Sequence, residues 1–108
     1  MDPTLRPATR ADRVAVRELC DCLDPHDYLP RAWEEWLSDP GGEMLLAHRG
    51  AMLVGCLYAT QVAPRQAFSQ GLRVHPDYRR AGVATLLANE QQRRLRVRGH
   101  LVVRGVTS

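Results

Sequence analysis

Between Gly71 and Ala84 the sequence reads Gly-Leu-Arg-Val-His-Pro-Asp-Tyr-Arg-Arg-Ala-Gly-Val-Ala, an apolar run that gives way to a proline turn, two arginines and a glycine. A helical pattern follows. The first turn of a helix carries backbone N–H groups without acceptors and a partial positive charge, so it holds phosphate without any catalytic side chain. Gly82 lets a ligand come close to the backbone. Arg79 and Arg80 add permanent charge at the helix end where it opposes the dipole, a placement that an anion compensates. The chemistry indicated is capture of a phosphate or pyrophosphate. One glycine before a helix is a common turn in its own right. The segment also lacks the Gly-Lys-Ser/Thr of a triphosphate loop and the repeated glycines of a dinucleotide fingerprint.

Other residues have plainer readings. Histidine is a residue type that can act as a base, but beside Pro76 His75 reads as a turn residue. Cys20 and Cys22 point about 200° apart on a helix, so they diverge from any shared metal ion, and Cys56 sits in an apolar run as a small buried hydrophobe. His26, His48 and His100 have no metal-ligand spacing. Arg93, Arg94, Arg96 and Arg98 fall in the last turns of a helix, where cations complement the dipole, which reads as a solvated helix end rather than a nucleic-acid surface. Trp33 and Trp36 share one face of a helix and read first as core.

Several elements must position the phosphate-binding stretch. Thr4 to Pro7 reads as a short edge strand, since proline cannot donate to a ladder. Thr9 and Asp12 form a helix-start box, and Val16, Leu19, Cys20 and Leu23 then recur on one helical face until Asp24-Pro25. A second helix runs from Pro30 through Leu37, followed by the turn cluster Ser38 to Gly42. Met44–His48, Met52–Val62 and Ala67–Val74 form a meander of strands with turns at Arg49-Gly50 and Pro64–Gln66. The helix after the loop spans Gly82 to Arg98 with Ala84, Leu87, Ala88, Gln91 and Leu95 inward, Gly99 closes it, and Leu101–Val106 returns as a strand parallel to the one before the helix.

The chain has 108 residues, a formal charge of +3 and three cysteines, and every one of its basic side chains other than histidine is arginine. That length suits one small domain. The charge can steer an anionic cofactor but is far from the dense basic stripe of non-specific nucleic-acid binding. No run reaches the roughly 20 apolar residues that cross a bilayer. The N-terminus carries charge and proline where a signal peptide is apolar, so a cytoplasmic location is expected.

Leu72-x-Val74-x-Pro76-x-x-Arg79-x-x-Gly82-x-Ala84, followed by Leu86-Leu87, resembles motif A of the GNAT acetyltransferases, whose signature is Arg/Gln-x-x-Gly-x-Gly/Ala. The order of elements resembles that fold as well. The resemblance implies an α/β chain with an α+β mixed sheet, the GNAT-like acyl-CoA N-acyltransferase fold, as a single partial domain over 1–108. It implies acetyl-CoA as cosubstrate and no metal. Backbone groups of Arg79, Arg80, Ala81, Gly82, Val83 and Ala84 would hold the pyrophosphate, while Leu72, Arg73 and Val74 would pair with the pantetheine arm like an added strand. The Val74 amide would polarise the thioester carbonyl for direct attack by an amine. Gln70 stands where members often carry a carboxylate base, and an amide cannot accept a proton near neutral pH. Tyr28-Leu29-Pro30 with Trp33 and Trp36-Leu37 is similar to the acceptor-side region of histidine N-acetyltransferase-like members, which makes Tyr28 and Trp33 candidate acceptor contacts.

In the family the chain continues into a helix bearing a tyrosine general acid and a closing hairpin, and nothing here matches them. The fold is therefore expected to be incomplete at its C-terminus, leaving a last strand whose free edge invites a homodimer. The expected activity is transfer of acetyl from acetyl-CoA to a primary amine of a small molecule or amino acid, without nucleic-acid or membrane partners. The alternative is a non-catalytic CoA-binding truncated isoform or fragment.

Overall fold

The structure, a computed structural model, describes residues 3–103. The chain opens with strand β1 (Thr4–Pro7), a single 3-10 turn (Arg10–Asp12) and helix α1 (Arg13–Leu23). Helix α2 (Leu29–Ser38) leads into strands β2 (Gly42–Arg49), β3 (Met52–Ala63) and β4 (Gln66–Val74). A second 3-10 turn (Pro76–Tyr78) precedes helix α3 (Val83–Val97), and strand β5 (Leu101–Val103) follows. The five strands form one mixed sheet in the order β1-β2-β3-β4-β5, antiparallel as far as β4 and parallel between β4 and β5. This is the expected mixed α/β architecture. The last strand was expected to reach Val106, and residues 104–106 lie outside the described residues.

Two cores lie on opposite faces of the sheet. On one, Val16, Leu19 and Cys20 of α1 and Leu29 and Trp33 of α2 pack on Met44, Leu46, Cys56 and Tyr58. On the other, Val83 and Leu87 of α3 pack on Leu45, Ala47, Val54 and Leu57. The alternation of β2, with Met44 and Leu46 facing one helix layer and Leu45 and Ala47 the other, explains its unbroken apolar run. Gly55 lets α3 come close, because a Cβ there would stand 2.8 Å from a Val83 methyl.

The helix boundaries follow local chemistry. The Thr9 N–H donates to the Asp12 carboxylate at 2.7 Å, and the same carboxylate takes a two-pronged contact from Arg6 at 2.9 and 2.6 Å. One side chain thus closes the 3-10 turn that leads into α1 and ties it to β1. In α3 the inward stripe differs from expectation. Val83 is buried with Leu87, Gln91 and Leu95, whereas Ala84 and Ala88 are half-buried. The helix is rotated slightly toward its packing on Gly55, which turns Ala84 to a groove.

Candidate active site

Strand β4 departs from regular pairing where the motif begins. Val74 and Arg73 oppose Gly55 and Cys56, whereas Gln70 and Ser69 oppose Tyr58 and Ala59, so Gly71 and Leu72 together face the single residue Leu57. This is a β-bulge. Gly71 has φ +74°, a left-handed value that costs other residues roughly 1–2 kcal/mol. A Cβ there would also meet Trp36 at 2.9 Å. The Gly71 carbonyl accepts a weak contact from the Cys56 thiol at 3.7 Å.

Beyond the bulge, direction is fixed by alternation. The His75 N–H donates to the Val54 carbonyl of β3 at 2.8 Å. Peptide groups one residue earlier point the opposite way in a strand, so the Val74 and Leu72 N–H groups are aimed at the other edge of β4. Among the described residues, β5 pairs only with Gln66, Ala67 and Phe68 on that edge. The motif end of β4 therefore offers outward N–H donors.

The loop after β4 brings these donors to the start of α3. His75 closes the 3-10 turn by accepting the Asp77 N–H on Nδ1 at 3.2 Å. Its ring packs edge-on to Tyr78 with centroids 5.5 Å apart. Tyr78 in turn packs beneath the loop against the α3-side core. Gly82 has φ +78°, and nothing lies within 4 Å of a Cβ built there. Its carbonyl accepts the Leu86 N–H at 3.0 Å, which begins the helix and leaves the first-turn N–H groups of Val83, Ala84 and Thr85 without intrahelical acceptors. Arg79, Arg80, Ala81 and Gly82 are exposed at this same end.

A groove of about 650 Å³ joins these parts, lined by Leu72, Arg73, Val74, Arg79 and Ala84 on one side. Leu23 at the end of α1 and Asp24, His26, Asp27 and Tyr28 of the loop between α1 and α2 line the other. The predicted Arg73 is in the groove wall, but its guanidinium is 8% exposed and turned onto Asp27. Nε and Nη2 meet the two carboxylate oxygens at 2.6 and 2.9 Å. Burial would push the Asp27 carboxyl up, yet the Arg73 fork and the Leu29 N–H outweigh it and hold it below the usual carboxylate range. Arg73 Nη1 also donates to the Leu72 carbonyl at 3.0 Å, and its guanidinium lies 5.5 Å from the Tyr28 ring.

The bulge separates residues that regular alternation would have put on one face. Leu72 and Val74 pack toward α3. Gln70 instead lines a second cavity of about 490 Å³ on the α2 side, with Glu35, Trp36, Ser38, Asp39, Tyr58 and Thr60. Of the aromatic candidates, Tyr28 reaches the groove at 44% exposure, whereas Trp33 is 1% exposed in the core. Trp36 connects the two cavities, edge-on to Tyr28 at 6.1 Å and stacked on Tyr58 at 4.3 Å. Asp27 was missed in the sequence; its only signal was an acidic residue in the loop between two helices.

The groove suits, by its shape and lining, an elongated ligand with an anionic end. It offers a helix start open to phosphate, an adjoining strand edge of N–H donors and an apolar lining between them. Among the described residues no group of three or more His, Cys, Asp or Glu side chains could hold a metal ion, and no helix is long and apolar enough to cross a membrane.

Comparison with known proteins agrees with this geometry. The profile of the acetyltransferase (GNAT) family matches residues 13–104. No curated protein matches the chain by sequence. Among solved structures, a ribosomal-protein-alanine N-acetyltransferase from Brucella melitensis superposes with a TM-score of 0.80 at 20% identity, over 100% of this chain and 82% of that one. An aminoglycoside 6′-N-acetyltransferase complexed with coenzyme A gives 0.81 at 19% identity, covering 94% of this chain and 60% of that one. A transcriptional regulator from Bacillus halodurans gives 0.76 at 24% identity, covering 98% and 82%. At these identities the likeness is one of fold.

Proposed function

Because the chain belongs to the acetyltransferase (GNAT) family, we propose that it binds acetyl-CoA in the groove beside β4 and transfers the acetyl group to a primary amine of a small molecule or amino acid. One observation carries this reading: Leu72 and Val74, whose N–H groups point away from β3 by alternation from His75, line the same groove as Arg79 and Ala84 at the open helix start. Acetyl-CoA would supply an acetyl group already activated as a thioester. The protein's part is then placement and electrostatics.

At the phosphate end, the first-turn N–H groups of Val83 and Ala84 face the pyrophosphate, and Arg79 and Arg80 add charge without a carboxylate partner among the described residues. Along the strand, the Leu72 and Val74 amides pair with the pantetheine arm. The Val74 N–H is the donor placed for the thioester carbonyl, where negative charge develops as an amine attacks. Tyr28, on the loop across the groove, faces the acceptor side. Structural neighbours act on substrates as different as an aminoglycoside and a ribosomal protein, so the fold by itself does not select the acceptor.

The test is calorimetric titration of the protein with CoA, followed by an assay of thiol release from acetyl-CoA in the presence of a panel of primary amines and amino acids. Micromolar CoA binding with amine-dependent thiol release is expected. Binding without release from any amine would leave a CoA-binding module, and absence of binding would refute the reading.

A further inference from the structure

Arg73 stands between the two donors that the proposed reaction uses, yet its side chain serves neither phosphate nor solvent. It reaches across to Asp27, which is separated from it by 46 positions and sits on the loop forming the opposite groove wall. Both side chains are almost fully buried, at 8% and 3% exposure. Burying an ion pair gains little stability over apolar residues of the same size, because desolvation consumes most of the attraction. A pair kept in that position therefore asks for another role. A further guanidinium contact indicates one, since Nη1 holds the Leu72 carbonyl at 3.0 Å. Within a strand the N–H and C=O of one residue point to the same side, so this carbonyl lies on the outward edge with the Leu72 and Val74 amides.

We infer that Arg73 and Asp27 are positioning residues that latch the loop between α1 and α2 to the outward edge of β4 and cover the Leu72 carbonyl. The edge then presents N–H donors to the pantetheine and thioester, backed by a fixed positive charge, at a width set by the pair. The latch does not contribute to the phosphate end, where Gly82 and the first turn of α3 act independently of it. Tyr28 is held by the same device, its ring beside the Arg73 guanidinium. The inference rests on the proposed CoA site and concerns only its pantetheine half.

The two halves can be titrated apart. CoA and its pantetheine-free nucleotide half, 3′-phospho-ADP, are measured by calorimetry against wild type, Arg73→Lys and the double variant Arg73→Gln with Asp27→Asn. The double variant removes both charges and so strands neither one in the interior. Lysine keeps the charge but loses the planar fork that reaches Asp27 and Leu72 together. In both variants the affinity ratio of CoA to the nucleotide half should fall by about tenfold, equal to about 1.4 kcal/mol, with the nucleotide half within about twofold of wild type. An unchanged ratio in either variant with native circular dichroism overturns the latch. So does a parallel loss for both ligands, which would mean a general collapse. Should the double variant not fold, Arg73→Lys decides. Failure of wild type to bind either ligand would instead refute the CoA site itself.

Discussion

At Gly82 the backbone turns left-handed with φ +78° and opens onto space, with no atom within 4 Å of where a Cβ would stand. The two properties can be separated by substitution. Gly82→Ala should lower stability by about 1 kcal/mol through the left-handed cost alone, and weaken CoA binding moderately. Gly82→Trp should cost similar stability but abolish CoA binding, because the indole fills the space a pyrophosphate needs. Thermal unfolding and calorimetry on the same samples check both. Retained affinity in a folded tryptophan variant would remove Gly82 from the site. Gly42 makes a useful contrast, since a Cβ there would lie 2.1 Å from the Tyr58 hydroxyl. That hydroxyl donates to the Trp36 carbonyl at 3.0 Å and ties the end of α2 to β3. Its glycine is required by packing rather than by a ligand.

Among the elements, β4 carries most of the site because its two edges differ. Its inner edge is paired with β3 on both sides of the bulge, whereas among the described residues β5 meets only Gln66 to Phe68. Amide hydrogen exchange should show this directly. Without ligand, the Leu72 and Val74 amides should exchange faster than that of His75, which is bonded to Val54. Added CoA should protect Leu72 and Val74 and leave His75 unchanged. Equal protection of all three before ligand addition would mean that the outward edge is already covered.

A second element-scale prediction concerns acid. The Arg6 guanidinium, opposed by burial and helped by the Thr9 N–H, holds the Asp12 carboxyl down at about 2 against an ordinary 3.8. A carboxyl depressed on folding adds stability that is full above its unfolded value and is lost as pH falls through its folded one. The junction of β1 and α1 should therefore weaken progressively between about pH 4 and pH 2. Asp12→Asn should flatten that part of the stability profile while lowering stability at neutral pH. A profile of unchanged slope would contradict the assignment.

Over the whole molecule the sheet is a partition, with α3 on one side and the α1–α2 layer on the other. The groove runs past the edge between them. The arginines of α3 do not form a basic stripe. Arg93 and Arg94 are bonded to Glu90, and Arg94 and Arg98 reach Glu43 on β2 at 3.4 and 2.7 Å. These contacts knit the helix to the sheet. The core also fixes thiol behaviour. Burial, with smaller help from neighbouring charges, pushes the Cys20 thiol well above its usual value, and burial pushes Cys56 up to about 12. Cys22 is exposed. Titration of the native protein with a thiol reagent at pH 8 should give one fast equivalent, abolished by Cys22→Ser, and the other two should react only on unfolding. Rapid modification of Cys20 or Cys56 would show that the core opens readily.

Much of this was legible in the sequence because it is local. The loop and start of α3 proposed to take phosphate form one contiguous stretch whose glycine, arginines and helix pattern stand in order, so spacing alone marks where the helix begins. The apolar runs of β2 and β3, the Thr9–Asp12 box and Cys20 on the apolar face of α1 with Cys22 turned away from it follow equally from short-range pattern. Tertiary structure decided what depends on register or on distant partners. Gln70, Leu72 and Val74 share a face in any regular strand, and only pairing with β3 inserts the bulge at Gly71 that sends Gln70 to the α2 side. The direction of the Val74 amide likewise depends on which edge His75 uses. Trp33 and Trp36 lie on one helical face in the sequence, yet the packing buries the first and places the second between two cavities. Arg73 read as a cofactor contact from its place between Leu72 and Val74. Its partner Asp27 lies on another loop, and an ion pair between segments so far apart in the chain exists only once the fold has brought them together.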